Sequence, residues 1–189
     1  MRDAMTSNDI FNDARVARVR ELKDEVARLK AELAAAQQAC AMWSSHFATA
    51  LAAARDVDRL PPGGVLRVLD GWNIVFNSKF KGEGDAHLGK QRLIDAARAY
   101  APQHPNEFVW LVFDGADANA ACDGNFRVSY TGGEGEQRAD RLVADYLRLL
   151  RLEGRNVSVT VVTNDKTFGR KAAELGAAVR PVKEFADGT

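Results

Sequence analysis

Four aspartates are the residues of this chain best placed to do chemistry. Three of them close apolar, strand-like runs and the fourth opens a helical pattern: Asp70, Asp114, Asp165 and Asp140. Because the carboxyl ends of parallel strands meet at one edge of a sheet, we expect these side chains to lie close together. Clustered like charges are costly unless a cation lies among them. A hard divalent ion with oxygen ligands is the simplest candidate.

Carboxylates around Mg²⁺ or Mn²⁺ suit the hydrolysis of a phosphodiester, because the metal supplies a nucleophilic water and relieves charge on the phosphoryl oxygens. We predict Asp70 as the central ligand, Asp140 and Asp165 as direct or water-mediated ligands, and Asp114 as the residue that completes the cluster. Asn73 is predicted to orient a water or to hold the loop after the first strand. Asp140 and Asn73 also have structural interpretations, as an acid near a helix start and as a turn residue.

Composition restricts the class of protein. The chain has 189 residues and a formal net charge of zero, which argues against a strongly basic nucleic-acid coat but says nothing about local basic patches. Cys40 and Cys122 lie far apart and form no CxxC motif, which favours a reducing compartment. No signal peptide or membrane-length apolar run is visible, so we expect a cytoplasmic protein with no membrane partner.

The first 60 residues predict a long helix, since they contain neither glycine nor proline. Apolar residues recur in steps of three and four, with a and d positions at Val19, Leu22, Val26, Leu29 and Leu33. This heptad pattern favours a two-stranded coiled coil and therefore a homodimer. The alternative is a single amphipathic helix packed on its own domain. Residues 61–64, Pro-Pro-Gly-Gly, form the predicted linker.

Residues 65–189 alternate strand and helix patterns, which predicts an α/β domain with a mostly parallel sheet of about five strands and helices on both faces. Strands are expected at 65–70, 108–113, 126–130, 157–163 and 177–182. Helices are expected at 88–101, 137–152 and 166–175.

Four segments of this domain resemble motifs of the YacP-like NYN domains, a branch of the PIN-like nucleases. They are residues 68–74, 113–115, 130–140 and 162–165, with Asn164 in place of the usual serine. The resemblance implies a PIN-like three-layer sandwich and a metal-dependent endoribonuclease. It also implies a central strand at 65–70, between the strands that carry Asp114 and Asp165. The N-terminal coil is an extension to that family core.

Basic residues on the same elements as the acids could line a rim that binds RNA phosphates: Lys79, Lys81, Arg138, Arg141, Lys166 and Arg170. Trp72 and Phe76 could stack on bases or pack in the fold.

Two other functions stay open. One is a non-catalytic RNA-binding or scaffolding module. The other, a haloacid-dehalogenase-like phosphatase, is disfavoured because the segment after Asp70 lacks the second aspartate of an Asp-x-Asp motif.

Overall fold

The computed structural model of the protein describes most of the chain: residues 15–37, 60–81, 85–115, 118–132 and 137–189. The chain divides into an N-terminal unit and a larger C-terminal unit. None of the helices in these ranges is long and apolar enough to cross a membrane.

The described part of the N-terminal unit is a helix, α1, over residues 15–37. The five predicted a and d side chains are all exposed, by between 44% for Leu22 and 59% for Leu33. The rest of the predicted long helix, including Cys40, lies outside the described residues. An exposed apolar stripe of this kind is compatible with a coiled-coil interface. The homodimer stays a prediction.

The C-terminal unit is built on a six-stranded sheet. Its strands are β1 (Val65–Asp70), β2 (Glu107–Phe113), β3 (Ala118–Asp123), β4 (Phe126–Thr131), β5 (Ser158–Val162) and β6 (Ala178–Arg180). Their order is β3-β4-β2-β1-β5-β6, and every pair is parallel except β3 with β4. The expected central position of β1, between β2 and β5, is confirmed.

Helices cover both faces of this sheet and make it a three-layer sandwich. They are α2 (Gly71–Phe76), α3 (Ala86–Tyr100), α4 (Arg138–Leu152), α5 (Lys166–Glu174) and α6 (Val182–Asp187), with 3₁₀ turns at Lys79–Lys81 and Ala101–Gln103. One core lies between the sheet and α4 with α5, and a second lies between the sheet and α2, α3 and α6. The predicted α/β fold class is therefore confirmed.

Three elements were not expected from the sequence. β3 reads ANAACD and has none of the branched or aromatic residues that favour strands; it is held as an antiparallel edge by β4. The helices α2 and α6 have only six residues each. Such short segments carry too few turns for a helical period to be visible.

Gly71 lets α2 begin directly against the neighbouring strand. A Cβ at this position would lie 2.4 Å from the Phe113 ring and 2.7 Å from the carbonyl oxygen of Val112. No real side chain tolerates such distances, so only glycine fits at the turn from β1 into α2. This close approach fixes the direction in which the chain leaves Asp70.

Candidate active site

The four aspartates lie at the carboxyl edge of the sheet, where β1, β2 and β5 end. Asp70 is the last residue of β1 and the N-cap of α2, and Asp165 is the N-cap of α5. Asp114 follows β2, and Asp140 lies in the first turn of α4. They form one electrostatic group, because the negative charges of the other three all raise the pKa of Asp140.

Asp70 is the best-anchored member of the group. Its Oδ1 accepts from the backbone N–H of Asn73 at 3.3 Å, and its Oδ2 accepts from the hydroxyl of Thr163 at 2.8 Å. Burial raises the pKa of Asp70 to about 6; these two hydrogen bonds oppose the rise, and the charges of Asp165 and Asp114 add to it. The site therefore holds a carboxylate that is costly to ionise unless a cation is near.

Asp114 serves as a cap for a helix that is distant in sequence. Its Oδ1 accepts from the backbone N–H of Ala139 at 2.6 Å and from the hydroxyl of Thr131 at 3.3 Å. The residue at the N-cap position of α4, Gln137, has a left-handed backbone and no capping side-chain bond. Asp114 thus satisfies one of the N–H groups at the start of α4, that of Ala139, and this bond holds the start of α4, with its Asp140, beside the end of β2.

Thr163 connects Asp165 to Asp70. The backbone N–H of Asp165 donates to the Thr163 hydroxyl oxygen at 3.0 Å, while that hydroxyl donates to Asp70. The Asp165 carboxylate accepts from the backbone N–H groups of Thr167 and Phe168 at 2.7 and 2.9 Å. The ends of β1 and β5 are therefore coupled through one buried hydroxyl, and Asp165 is held by α5.

Asp140 differs from the other three acids because its carboxylate receives no hydrogen bond from the described residues. Burial raises its pKa to about 7, the charges of Asp70, Asp165 and Asp114 add to the effect, and Lys171 opposes it. A half-buried acid with its oxygens uncommitted is the member of this group most available to a cation or to a proton.

Asn73 holds a loop. Its Oδ1 accepts from the backbone N–H of Asn164 at 2.7 Å, and the Oδ1 of Asn164 in turn accepts from the N–H of Val182 at 3.1 Å. Asn164 thereby supplies the capping bond that Pro181 cannot give to α6. Of the two roles predicted for Asn73, this contact fits the holding of the loop.

The basic residues predicted to contact RNA occupy different environments. Arg141, Lys166 and Arg170 are exposed on α4 and α5, and Lys79 and Lys81 are exposed in the turn after α2. Arg138 is buried, with 7% of its surface accessible, at the start of α4. It is therefore in a structural position, not on a solvated rim. The RNA contacts of all six stay predictions.

Trp72 is packed into the fold. Its Nε1 donates to the carbonyl of Asp114 at 2.9 Å, and its ring meets Phe113 edge-on at 5.3 Å. Phe76 stacks on Trp72 at 5.6 Å and is 51% exposed. Of this pair, Phe76 has the free face that stacking on a base requires.

The donor set fits a hard divalent ion bound partly through water. Among the described residues, no group of three or more His, Cys, Asp or Glu side chains is close enough together to hold a metal ion directly. Mg²⁺ does not need three, because it keeps several waters and takes one or two carboxylates. Burial first, and the neighbouring carboxylate charges after it, raise the pKa values of Asp70 and Asp140, so a bound cation would favour their ionised forms. An oxygen-only donor set of this kind suits Mg²⁺ or Mn²⁺.

Sequence reasoning assigned no role in the site to four residues that shape it: Thr131, Thr163, Asn164 and Lys171. The two threonines orient Asp114 and Asp70, and Lys171 is the cation whose charge acts on Asp140. A signal was present for Thr163, which follows β5 two residues before Asp165, whereas Thr131 ends β4 and meets Asp114 only in the fold. Nothing in the spacing pointed to Lys171, which reaches Asp140 from another helix.

The fold, with four aspartates at the carboxyl edge of the sheet, defines a PIN-like α/β domain with an acidic site. Comparison with known proteins assigns the family. Residues 67–188 match the model of the YacP-like NYN domain, so the chain belongs to that family. This membership supports a ribonuclease at the level of the family.

A solved structure shows the same fold. It is the crystal structure of Rae1 (YacP) from Bacillus subtilis, in a tryptophan-to-leucine variant, with a TM-score of 0.51 and 17% sequence identity. The alignment covers 66% of this chain and 74% of that chain. No curated protein sequence matches the chain significantly.

Proposed function

We propose that this protein is a metal-dependent endoribonuclease that hydrolyses RNA phosphodiester bonds at its four aspartates. The proposal is supported above all by one observation: four carboxylates share the carboxyl edge of a ribonuclease-family domain, and burial with mutual repulsion raises the pKa of Asp70 and Asp140. A cation bound there would offset that repulsion. The cofactor we propose is Mg²⁺ or Mn²⁺.

The four acids have different proposed tasks. Asp140, whose oxygens accept no hydrogen bond from described residues, is available as a direct ligand. Asp70 is central, and each of its oxygens keeps a lone pair beyond the bonds from Asn73 and Thr163. Asp114 and Asp165 are held by helix N-termini and are suited to contacts through water. When bound, the metal supplies an activated water and neutralises phosphoryl charge.

Thr163 and Thr131 are proposed as positioning residues. Their hydroxyls hold Asp70 and Asp114 in fixed orientations at the ends of β1 and β2. A site held to a fraction of an ångström binds its metal with less reorganisation than a flexible one. RNA is the proposed substrate and partner.

The N-terminal helix is proposed to join two copies of the chain. Its described a and d residues are all exposed, which leaves an apolar stripe to be covered. The proposed organisation is a coil over residues 1–60, a linker at 61–64 and a catalytic domain at 65–189.

A second function is favoured by a specific observation. Three of the acids cap helices: Asp70 caps α2, Asp114 caps α4, and Asp165 caps α5. Caps stabilise a fold by about 0.5–2 kcal/mol each, so these acids would be useful even without catalysis. A non-catalytic RNA-binding or scaffolding module would keep them for that reason.

Incubation of the purified chain with an end-labelled single-stranded RNA in Mg²⁺, Mn²⁺ or EDTA separates these functions. We expect internal cleavage with either metal and none in EDTA. Asp70→Asn should remove cleavage, and the matched variant Asp123→Asn, on the exposed edge strand, should keep it. RNA binding by the wild type without cleavage in any metal would support the second function. Hydrolysis of a small phosphate monoester without RNA cleavage would point to a phosphatase.

A further inference from the structure

An open groove runs between α4 and α5 on the face of the sheet that these helices cover. Its volume is about 430 Å³, and its lining residues are Arg148, Thr167, Arg170, Lys171, Glu174 and Leu175. Three cations face one acid, in a chain whose formal net charge is zero. The groove is therefore a local basic surface on a neutral protein.

The groove adjoins the acidic edge of the sheet through Thr167. Thr167 lines it, and the backbone N–H of Thr167 donates to the carboxylate of Asp165 at 2.7 Å. Lys171 lines it one helical turn further on, and the charge of Lys171 lowers the pKa of Asp140. The single acid of the lining, Glu174, lies at the far end of α5. Arg170 and Lys171 therefore lie nearer the aspartates than Glu174 does.

Two of the three cations are available to a ligand. Arg170 and Lys171 form no ion pair with any residue in the described part of the chain. Arg148 is shared, because its Nη1 contacts Asp145 at 2.6 Å. Two cations without ion pairs, and a third shared with one acid, favour an anionic ligand over an apolar one.

We infer that this groove holds the phosphate backbone of the RNA strand beside the scissile bond, which rests on the proposed ribonuclease function. Arg170 and Lys171 contact phosphates, and Arg148 joins them by exchanging its Asp145 partner. Contacts of this kind fix the position of a strand without reading its sequence. Arg148 and Lys171 thereby become substrate-binding residues that spacing along the chain did not indicate.

The test compares two charge-matched double variants by fluorescence anisotropy of a labelled single-stranded RNA in EDTA, over a series of salt concentrations. Arg170→Gln/Lys171→Gln removes two charges from the groove. Arg92→Gln/Arg98→Gln removes two exposed charges from α3, on the opposite face of the sheet. For the groove variant we expect roughly tenfold weaker binding. The slope of log K against log salt should shrink by roughly 0.7 per lost contact. The α3 variant should bind like the wild type.

Equal losses in both variants would mean that only total charge matters, and would overturn the inference. Unchanged binding by the groove variant, or no RNA binding by the wild type at low salt, would also overturn it. Because EDTA excludes metal-dependent cleavage, binding is measured independently of catalysis. If the groove variant loses affinity but no form of the protein cleaves RNA with Mg²⁺ or Mn²⁺, the groove stands and the nuclease proposal fails.

Discussion

Replacing Asp70 by asparagine should make the metal-free protein more stable at pH 8. Burial raises the pKa of Asp70 from 3.8 to about 6. At 1.36 kcal/mol per unit, that rise of roughly two units corresponds to about 3 kcal/mol of destabilisation. Asparagine can keep both contacts, by accepting from the N–H of Asn73 and donating to the hydroxyl of Thr163. Weaker neutral hydrogen bonds cost about 1 kcal/mol, which leaves a gain of about 2 kcal/mol.

The gain should depend on pH in a defined window. Below pH 3.8, the carboxyl group is protonated in both the folded and the unfolded chain, so the ionisation penalty is absent. Between pH 3.8 and about 6, the unfolded chain ionises first, and the penalty on the wild type grows with pH. Above pH 6 the penalty is complete and constant. The stabilising effect of Asp70→Asn should therefore be large at pH 8 and small at pH 4.

Urea denaturation in EDTA at both pH values, followed by tryptophan fluorescence, measures this difference. The exposed-strand variant Asp123→Asn should stay within about 0.5 kcal/mol of the wild type at either pH. Added Mn²⁺ at a hundred times its Kd should stabilise the wild type by about 2.7 kcal/mol, and should not stabilise Asp70→Asn. A metal-free Asp70→Asn protein that is less stable than the wild type at pH 8 would refute the reasoning, because the carboxylate's hydrogen bonds would then outweigh its burial.

Three further changes test other parts of the molecule. Asp140→Asn/Asp165→Asn should abolish RNA cleavage yet leave the urea midpoint unchanged or higher, since asparagine caps a helix as well as aspartate; retained cleavage would make both acids structural. Gly71→Ala should destabilise the domain by about 1–3 kcal/mol through overpacking, and an unchanged urea midpoint would contradict the close approach. Leu22→Glu/Leu29→Glu should convert a dimer to a monomer, read by light scattering after size exclusion, without loss of cleavage. A wild type that is already monomeric at tens of micromolar would contradict the coil.

The main strands of the sheet could be predicted because they are apolar runs closed by turn or acidic residues. β1 occupies the predicted range of 65–70, and β5 lies within the predicted 157–163. β3 could not be predicted in this way, since it is held by pairing with β4 and not by its own residues. Strand formation by small residues such as these depends on the neighbouring strand, which no local pattern contains.

The four aspartates could be located from the sequence, but what holds them could not. Parallel strands end at a common edge, so Asp70, Asp114 and Asp165 were expected together. The hydroxyl that joins two of them belongs to Thr163, 93 residues from Asp70, and only the register of β1 with β5 reveals it. The chemical roles of the acids stay predictions.

The burial of Arg138 can be predicted from the helical period of α4. Residues 138, 142, 146 and 150 of α4 are spaced by four and are all buried, so Arg138 lies on the stripe that faces the sheet. Arg141 and Arg148 are on the exposed side of the same helix. The position of a charged residue on the apolar face of a helix is therefore a better guide to its burial than its charge is.

The long-range hydrogen bonds at the edge also decide when the site can form during synthesis. The hydrogen-bond partner of Asp70, the Thr163 hydroxyl, is synthesised 93 residues later. The partner of Asn73, the backbone N–H of Asn164, is synthesised 91 residues later. A nascent chain that has reached only β4 has neither partner, and it also lacks Asp140 and Asp165. Loop closure over such distances is slow compared with local helix formation. The acidic site can therefore form only after β5 and Asn164 have been synthesised, later than the local helices α2 and α3.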